Sequence, residues 1–256
     1  MSVVFFQGIF ANFDQVNRVL HHHDPLFPEC DLVSISNDLP EIITDTNSLS
    51  YTIQTWMVSM VFGLLFRPYL VRPYAIDYSA LNFAQHNDIA QHRLRGVGDI
   101  AFGISRGAAT TFSRWALDGT EGSGLRPKLL VLEGCPDSIS NVLQHRFGDF
   151  LASYIESVME IITQYNKTIA LQLAPIALAK QFPLDLPVAF ITSLRDTKVP
   201  MQGTLDLAQA LRERGHPHVY LLVLQDAGHN DYYTGSSRDH QAYKTFFQNL
   251  VKTFVK

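Results

Sequence analysis

The chain alternates short runs of consecutive apolar residues with longer stretches whose apolar positions recur at helical spacing, the pattern of a parallel sheet wrapped by helices. Apolar runs stand at Val3 to Phe6, Leu32 to Ile35, Ile100 to Phe102, Leu129 to Leu132, Val188 to Ile191 and Val219 to Leu224. Between the last two, Leu205, Leu207, Ala208 and Leu211 have helical spacing, and Gly215 stands where a helix C-terminus calls for glycine. That predicts a βαβ crossover. After the third run, Gly107, Ala108 and Ala109 predict a helix slim enough to press against the sheet. Phe112, Trp115 and Ala116 continue its apolar face, and its end is expected before Gly119. The glycine-rich stretch Gly119 to Gly124 lacks a phosphate-binding pattern and reads as a plain connection.

Two segments depart from the alternation. Leu39 to about Gln91 and Pro136 to about Phe182 are long, helical in pattern and rich in apolar and aromatic residues. Such excursions in an α/β domain either pack as extra helices or cover a site. A chain of 256 residues can bury a full-sized core, so one α/β domain over residues 1–256 is expected, with these two segments as helical insertions and a possible lid.

Composition narrows the partners. With 24 acidic against 20 basic residues the net charge is only −4, and no basic stripe offers a nucleic-acid footprint. Cys30 and Cys135 cannot build a disulfide framework and match no zinc spacing; both read as buried thiols. The start of the chain lacks a basic region and a small-residue cleavage site, so it reads as a first strand, with cytoplasm as the default location. The most apolar stretch, Trp56 to Phe66, is too short to cross a bilayer and reads as a core or lid helix, or else as a surface that meets lipid or a greasy substrate. His21, His22 and His23 read as a helix end, since consecutive helical positions do not converge on one metal.

Candidate chemistry begins where the third run passes into Gly103-Ile104-Ser105-Arg106-Gly107. A serine on a sharp strand-to-helix turn needs small neighbours two residues to either side, which this G-x-S-x-G supplies. Chance alone gives the pentapeptide in about one chain of this length in ten, so its context decides. A serine hydroxyl is a weak nucleophile that needs a histidine to take its proton and a carboxylate to fix the histidine's tautomer. In doubly wound sheets such groups stand just past the carboxyl ends of strands. Asp196 follows the fifth run in Arg195-Asp196-Thr197-Lys198-Val199-Pro200, and His229 follows the sixth in Asp226-Ala227-Gly228-His229-Asn230-Asp231. Each has an ordinary alternative, a turn or capping aspartate and a surface histidine. Asp137, after the fourth run, is a second candidate acid, whereas Asp226 and Asp231 flank the histidine too closely to orient it from behind.

The order Ser105, Asp196, His229, each after its own predicted strand, resembles the α/β-hydrolase superfamily. The motifs that carry the resemblance are Gly-Ile-Ser-Arg-Gly, Asp-Thr-Lys-Val-Pro and Ala-Gly-His-Asn, spread over almost the whole chain. The resemblance implies a mainly parallel doubly wound sheet, reduced at the N-terminus, with Ser105 as nucleophile, His229 as base and Asp196 as orienting acid. It also implies an oxyanion loop after the first strand. There Gln7 stands where relatives carry histidine, Gly8 permits a close approach, and the amide of Ile9 would join that of Arg106. The Arg106 side chain is expected to be exposed, steering a carboxylate or carbonyl, or else to make a structural salt bridge. The implied activity is hydrolysis of a carboxylic ester or thioester through an acyl-enzyme, and the Phe and Leu residues of the two excursions favour an apolar acyl part. That chemistry needs no metal or organic cofactor. Acyl transfer, peptide hydrolysis by the same triad, and a non-catalytic binding protein are the rival expectations. The sequence leaves the oligomeric state open.

Overall fold

The structure is a computed structural model and describes residues 2–6, 24, 26, 31–35, 99–118, 127–163, 167–172, 174–229 and 231–255. The expectations for Gly8 and Ile9, His21 to His23, Cys30, the segment 39–91 with Trp56 to Phe66, and the loop 119–124 lie outside the described residues.

Six strands form one sheet: β1 (Ser2–Phe6), β2 (Asp31–Ile35), β3 (Ile100–Ile104), β4 (Leu129–Glu133), β5 (Val188–Ser193) and β6 (Val219–Leu224). Their order is β2-β1-β3-β4-β5-β6, and every neighbouring pair is parallel. The apolar runs thus become the strands predicted for them. β3, β4 and β5 continue further at their carboxyl ends than the runs suggest, because Gly103, Glu133 and Ser193 keep the ladder while breaking the apolar pattern.

Residues of β3, β4 and β5 are buried on both faces, as parallel strands covered by helices require. One face, with Ala101, Leu130, Leu132, Val188 and Phe190, packs under α1 (Arg106–Asp118), α4 (Pro175–Leu178) and α5 (Met201–Glu213). The other, with Ile100, Phe102, Leu129, Val131 and Ile191, packs under α6 (Ser237–Phe254) and the tyrosines Tyr232 and Tyr233. α1 ends at Asp118, as the following glycine predicts. α5 closes on Gly215 at φ 79°, whose amide bonds Arg212 O at 2.9 Å while His216 N bonds Leu211 O at 3.1 Å.

The second excursion forms α2 (Ile139–Thr163), α3 (Lys167–Gln172), α4 and a 3₁₀ turn, Ala179–Gln181. Its final part belongs to the core: Leu178, Ala179 and Phe182 are buried, and Phe182 stacks on Phe112 of α1 at 4.6 Å between ring centres. Truncating so enclosed a phenyl ring to alanine costs about 3–5 kcal/mol.

The strand order reverses between β1 and β3. In doubly wound sheets the crevice at such a switch point, outside the carboxyl ends of the strands, is where ligands bind. Ser105 is the first residue past the end of β3.

Candidate active site

Ser105 sits between β3 and α1 with φ 56°, the only non-glycine at positive φ among the described residues. A left-handed serine costs free energy that its surroundings must hold. They do so through the Ser105 amide, which donates to Glu133 O at 2.7 Å, and the Ser105 carbonyl, which accepts from Ala109 N at 3.2 Å. The turn is therefore fixed from the neighbouring strand and from the first turn of the helix. Gly103 explains the first glycine of the motif: a Cβ there would lie 2.7 Å from Ala108 Cα, Gly107 O and Thr111 Oγ1. Only glycine lets α1 lie this close to β3.

The structure brings the three predicted groups together from three strand ends. His229 Nε2 lies 3.0 Å from Ser105 Oγ, and His229 Nδ1 lies 2.7 Å from Asp196 Oδ2. A carboxylate only accepts, so the Nδ1 proton donates to Asp196 and leaves Nε2 free to accept from the serine hydroxyl. Asp196 is further fixed by the amides of Lys198 and Val199, at 2.8 and 2.9 Å from Oδ1, and by the Tyr232 hydroxyl, at 2.5 Å from Oδ2. Burial alone would raise its pKa. The bond and charge of His229, then the bonds from Tyr232 and Val199, outweigh burial and hold the carboxyl below its ordinary range.

Asp137, the second candidate acid, is placed elsewhere. Its carboxylate accepts from Ser138 N at 2.6 Å and from Asn141 Nδ2 at the start of α2, and it packs against Gly203 of α5. It shapes a helix start and does not reach His229. Asp226 pairs with Arg195 at 3.7 Å on the surface, and Asp231 closes a turn through its amide to Gly228 O. The expectation that the Arg106 side chain is exposed is corrected: it is only 6% exposed, because it opens a helix pressed against the sheet and is enclosed with it. Its backbone amide opens the first turn of α1.

Several contributors left no mark in the sequence. Asp239, in the first turn of α6, takes the amides of Gln225, Asp226 and Ala227, at 3.1, 2.7 and 2.7 Å, and so anchors the loop that carries His229. Ser193 Oγ donates to Ala227 O at 2.6 Å from the end of β5. Gly134, at φ +50°, keeps the end of β4 small where a Cβ would meet Tyr232 and Asp196 at 3.1 and 3.4 Å. Glu133, at the end of β4, turns its side chain to the α6 face, where its carboxylate accepts from the Tyr243 hydroxyl. Burial pushes that carboxyl up to about 7, partly offset by the tyrosine. None of these carries a sequence motif. Their bonds span 12 to 110 positions and exist only once the chain has folded. Among the described residues no cluster of side chains could hold a metal ion, and no helix is long and apolar enough to cross a membrane.

Comparison with known proteins adds one match in sequence. The prolyl oligopeptidase family matches residues 137–255, a stretch that includes Asp196 and His229 and stops short of Ser105. No curated protein matches the chain. Solved structures similar to it include the Pyrococcus horikoshii acylaminoacyl peptidase, at 21% identity over 60% of this chain and 23% of that one, TM-score 0.46. They also include the Pyrococcus furiosus esterase Pf2001, at 15% identity over 71% of this chain and 64% of that one, TM-score 0.49. A third is a Mycobacterium tuberculosis puromycin-hydrolyzing peptidase, at 15% identity over 69% of this chain and 24% of that one, TM-score 0.49. The chain thus spans about a quarter of the length of the two peptidases.

Proposed function

On the premise of an α/β-hydrolase fold, we propose that the chain is a serine hydrolase cleaving a carboxylic ester or thioester through an acyl-enzyme. The observation that carries the reading is the relay from Ser105 Oγ through His229 to Asp196, at 3.0 and 2.7 Å, assembled from the ends of β3, β5 and β6. His229 takes the hydroxyl proton as Ser105 attacks the carbonyl, and Asp196 stabilises the imidazolium that forms. The amides of Arg106 and Ile9 hold the oxyanion of the tetrahedral intermediate. His229 then passes its proton to the leaving alcohol or thiol, and the acyl group stays on Ser105 Oγ. Water, deprotonated by the same histidine, attacks this ester and releases the acid. General-base help is worth about 10² to 10⁴ in rate, and one oxyanion donor about 10² to 10³.

A second reading, cleavage of a peptide bond by the same groups, is favoured by the prolyl oligopeptidase match over residues 137–255. A panel of esters of increasing acyl length, thioesters and peptidyl anilides, run with Ser105→Ala as control, separates the two. Turnover of esters or thioesters that is lost in the variant is the expected result. Turnover confined to peptidyl anilides transfers the assignment to the second reading, and turnover of none of them overturns hydrolysis altogether.

A further inference from the structure

Beside the three proposed catalytic side chains, a fourth group reaches the same atoms. Tyr232 lies three residues past His229, and its hydroxyl donates to Asp196 Oδ2, the oxygen that also receives His229 Nδ1. The other carboxylate oxygen is already taken by the Lys198 and Val199 amides. Two donors therefore share Oδ2. Tyr232 is 2% exposed, so bulk water does not compete for this bond. Burial, together with the neighbouring negative charge of Asp196, pushes its phenol well above the ordinary tyrosine range, which keeps it a donor. The space for it is built in: the end of β4 carries Gly134, where a Cβ would press on the Tyr232 hydroxyl at 3.1 Å. Among the described residues, the other titratable groups at this corner are Glu133 from β4 and Tyr243 from α6, which bond each other and not Asp196.

We propose that Tyr232 is a positioning residue of the triad, which holds Asp196 Oδ2 in place and draws off part of the carboxylate charge that would otherwise fall on His229. Its catalytic meaning rests on the serine-hydrolase reading, while the bond itself does not. A shared acceptor offers less negative charge to each donor, so the phenol fixes the acid at the cost of weaker stabilisation of the imidazolium that forms during the reaction. No sequence motif marks it, since a tyrosine three residues past a histidine is commonplace, and only the turn at Asp231 returns the ring toward the loop after β5.

The test is Tyr232→Phe, which keeps the ring and removes the hydroxyl. Two readouts are taken: the low-field proton resonance of His229 Nδ1–H, assigned by its loss in His229→Gln, and the pH dependence of the rate of fluorophosphonate labelling. The variant is expected to move the resonance further downfield. It should also shift the acidic limb of labelling to higher pH by about half a unit or more. A resonance and a limb that both coincide with wild type would overturn the proposal. The wild-type protein gives an independent reading should the variant fail to fold. A slowly exchanging Tyr232 hydroxyl proton close to His229 Hδ1 is expected there, and its absence counts against the proposal. Failure of the hydrolase reading looks different: wild type is not labelled at any pH, whatever the resonances do.

Discussion

At the scale of single residues, the site rests on atoms with few tolerable replacements. Ser105→Ala is expected to lower kcat by about 10⁶-fold, since the remaining groups have no nucleophile to serve. Asp196→Asn should keep the geometry yet lower kcat by about 10⁴-fold, because an amide can present its NH₂ to Nδ1 and stabilise the wrong tautomer. Steady-state rates on the preferred substrate check both. Gly103→Ala tests the backbone instead. Its Cβ would stand 2.7 Å from two atoms of the α1 backbone, so helix and strand must part, at a cost of about 1–3 kcal/mol or more, read by denaturant unfolding. The convergence of Ser105, Asp196 and His229 was legible in the sequence because each is tied to a local signal, a glycine pair or a polar turn after an apolar run. Tyr232 and Asp239 were not, because their roles come from partners 36 and 12 to 14 residues away.

At the scale of elements, the loop that carries His229 is held less by its own residues than by the helix after it. Asp239 belongs to α6, and the Ser236 hydroxyl accepts from its amide at 3.2 Å, so the same turn that starts the helix also fixes the loop. Asp239→Ala leaves three amides without their acceptor and is expected to cost about 2–3 kcal/mol. A lower melting temperature should come with a loss of activity larger than the population of unfolded protein explains. A loss of stability without that excess would show that the loop keeps its place unaided. The strands and the helices α1 and α5 followed from apolar runs and glycine stops, because local pattern and packing agree there. The excursion from Pro136 to Phe182 was helical as expected, but its closing residues are core and not cover. Pattern alone cannot tell a helix that packs from one that shields, since both need an apolar face.

For the whole molecule, stability is expected to depend on pH through three kinds of buried group with different signs. Asp196 and Asp239 are held below the ordinary carboxylate range, by His229 and by the loop amides respectively, against the opposing effect of burial. They stabilise the fold above the unfolded carboxylate range, and that contribution is lost as pH falls through their folded values. Glu133 is the reverse. Its pKa is raised to about 7, so its favourable contribution is complete below its unfolded value and is lost as pH rises through about 7. His216, lowered chiefly by burial, has the opposite slope to Glu133: its contribution is complete above its unfolded value and is lost as pH falls through its folded one. The difference between wild type and Glu133→Gln therefore isolates the glutamate. Melting curves from pH 5 to 8 should show wild type losing stability relative to the variant by roughly 2–3 kcal/mol across that span, whereas parallel curves would contradict a Glu133 carboxyl that burial holds above its ordinary range. Glu133, Asp196 and Asp239 gather at the carboxyl ends of β4 to β6, where the proposed relay stands, whereas His216 precedes β6 at the opposite end of the strands. The most direct measurement of that claim is the mass of the intact protein, and of its peptides, after treatment with a fluorophosphonate. A single adduct on the peptide containing Ser105, absent from Ser105→Ala, is the predicted result; an adduct on another residue, or equal labelling of the variant, would contradict it.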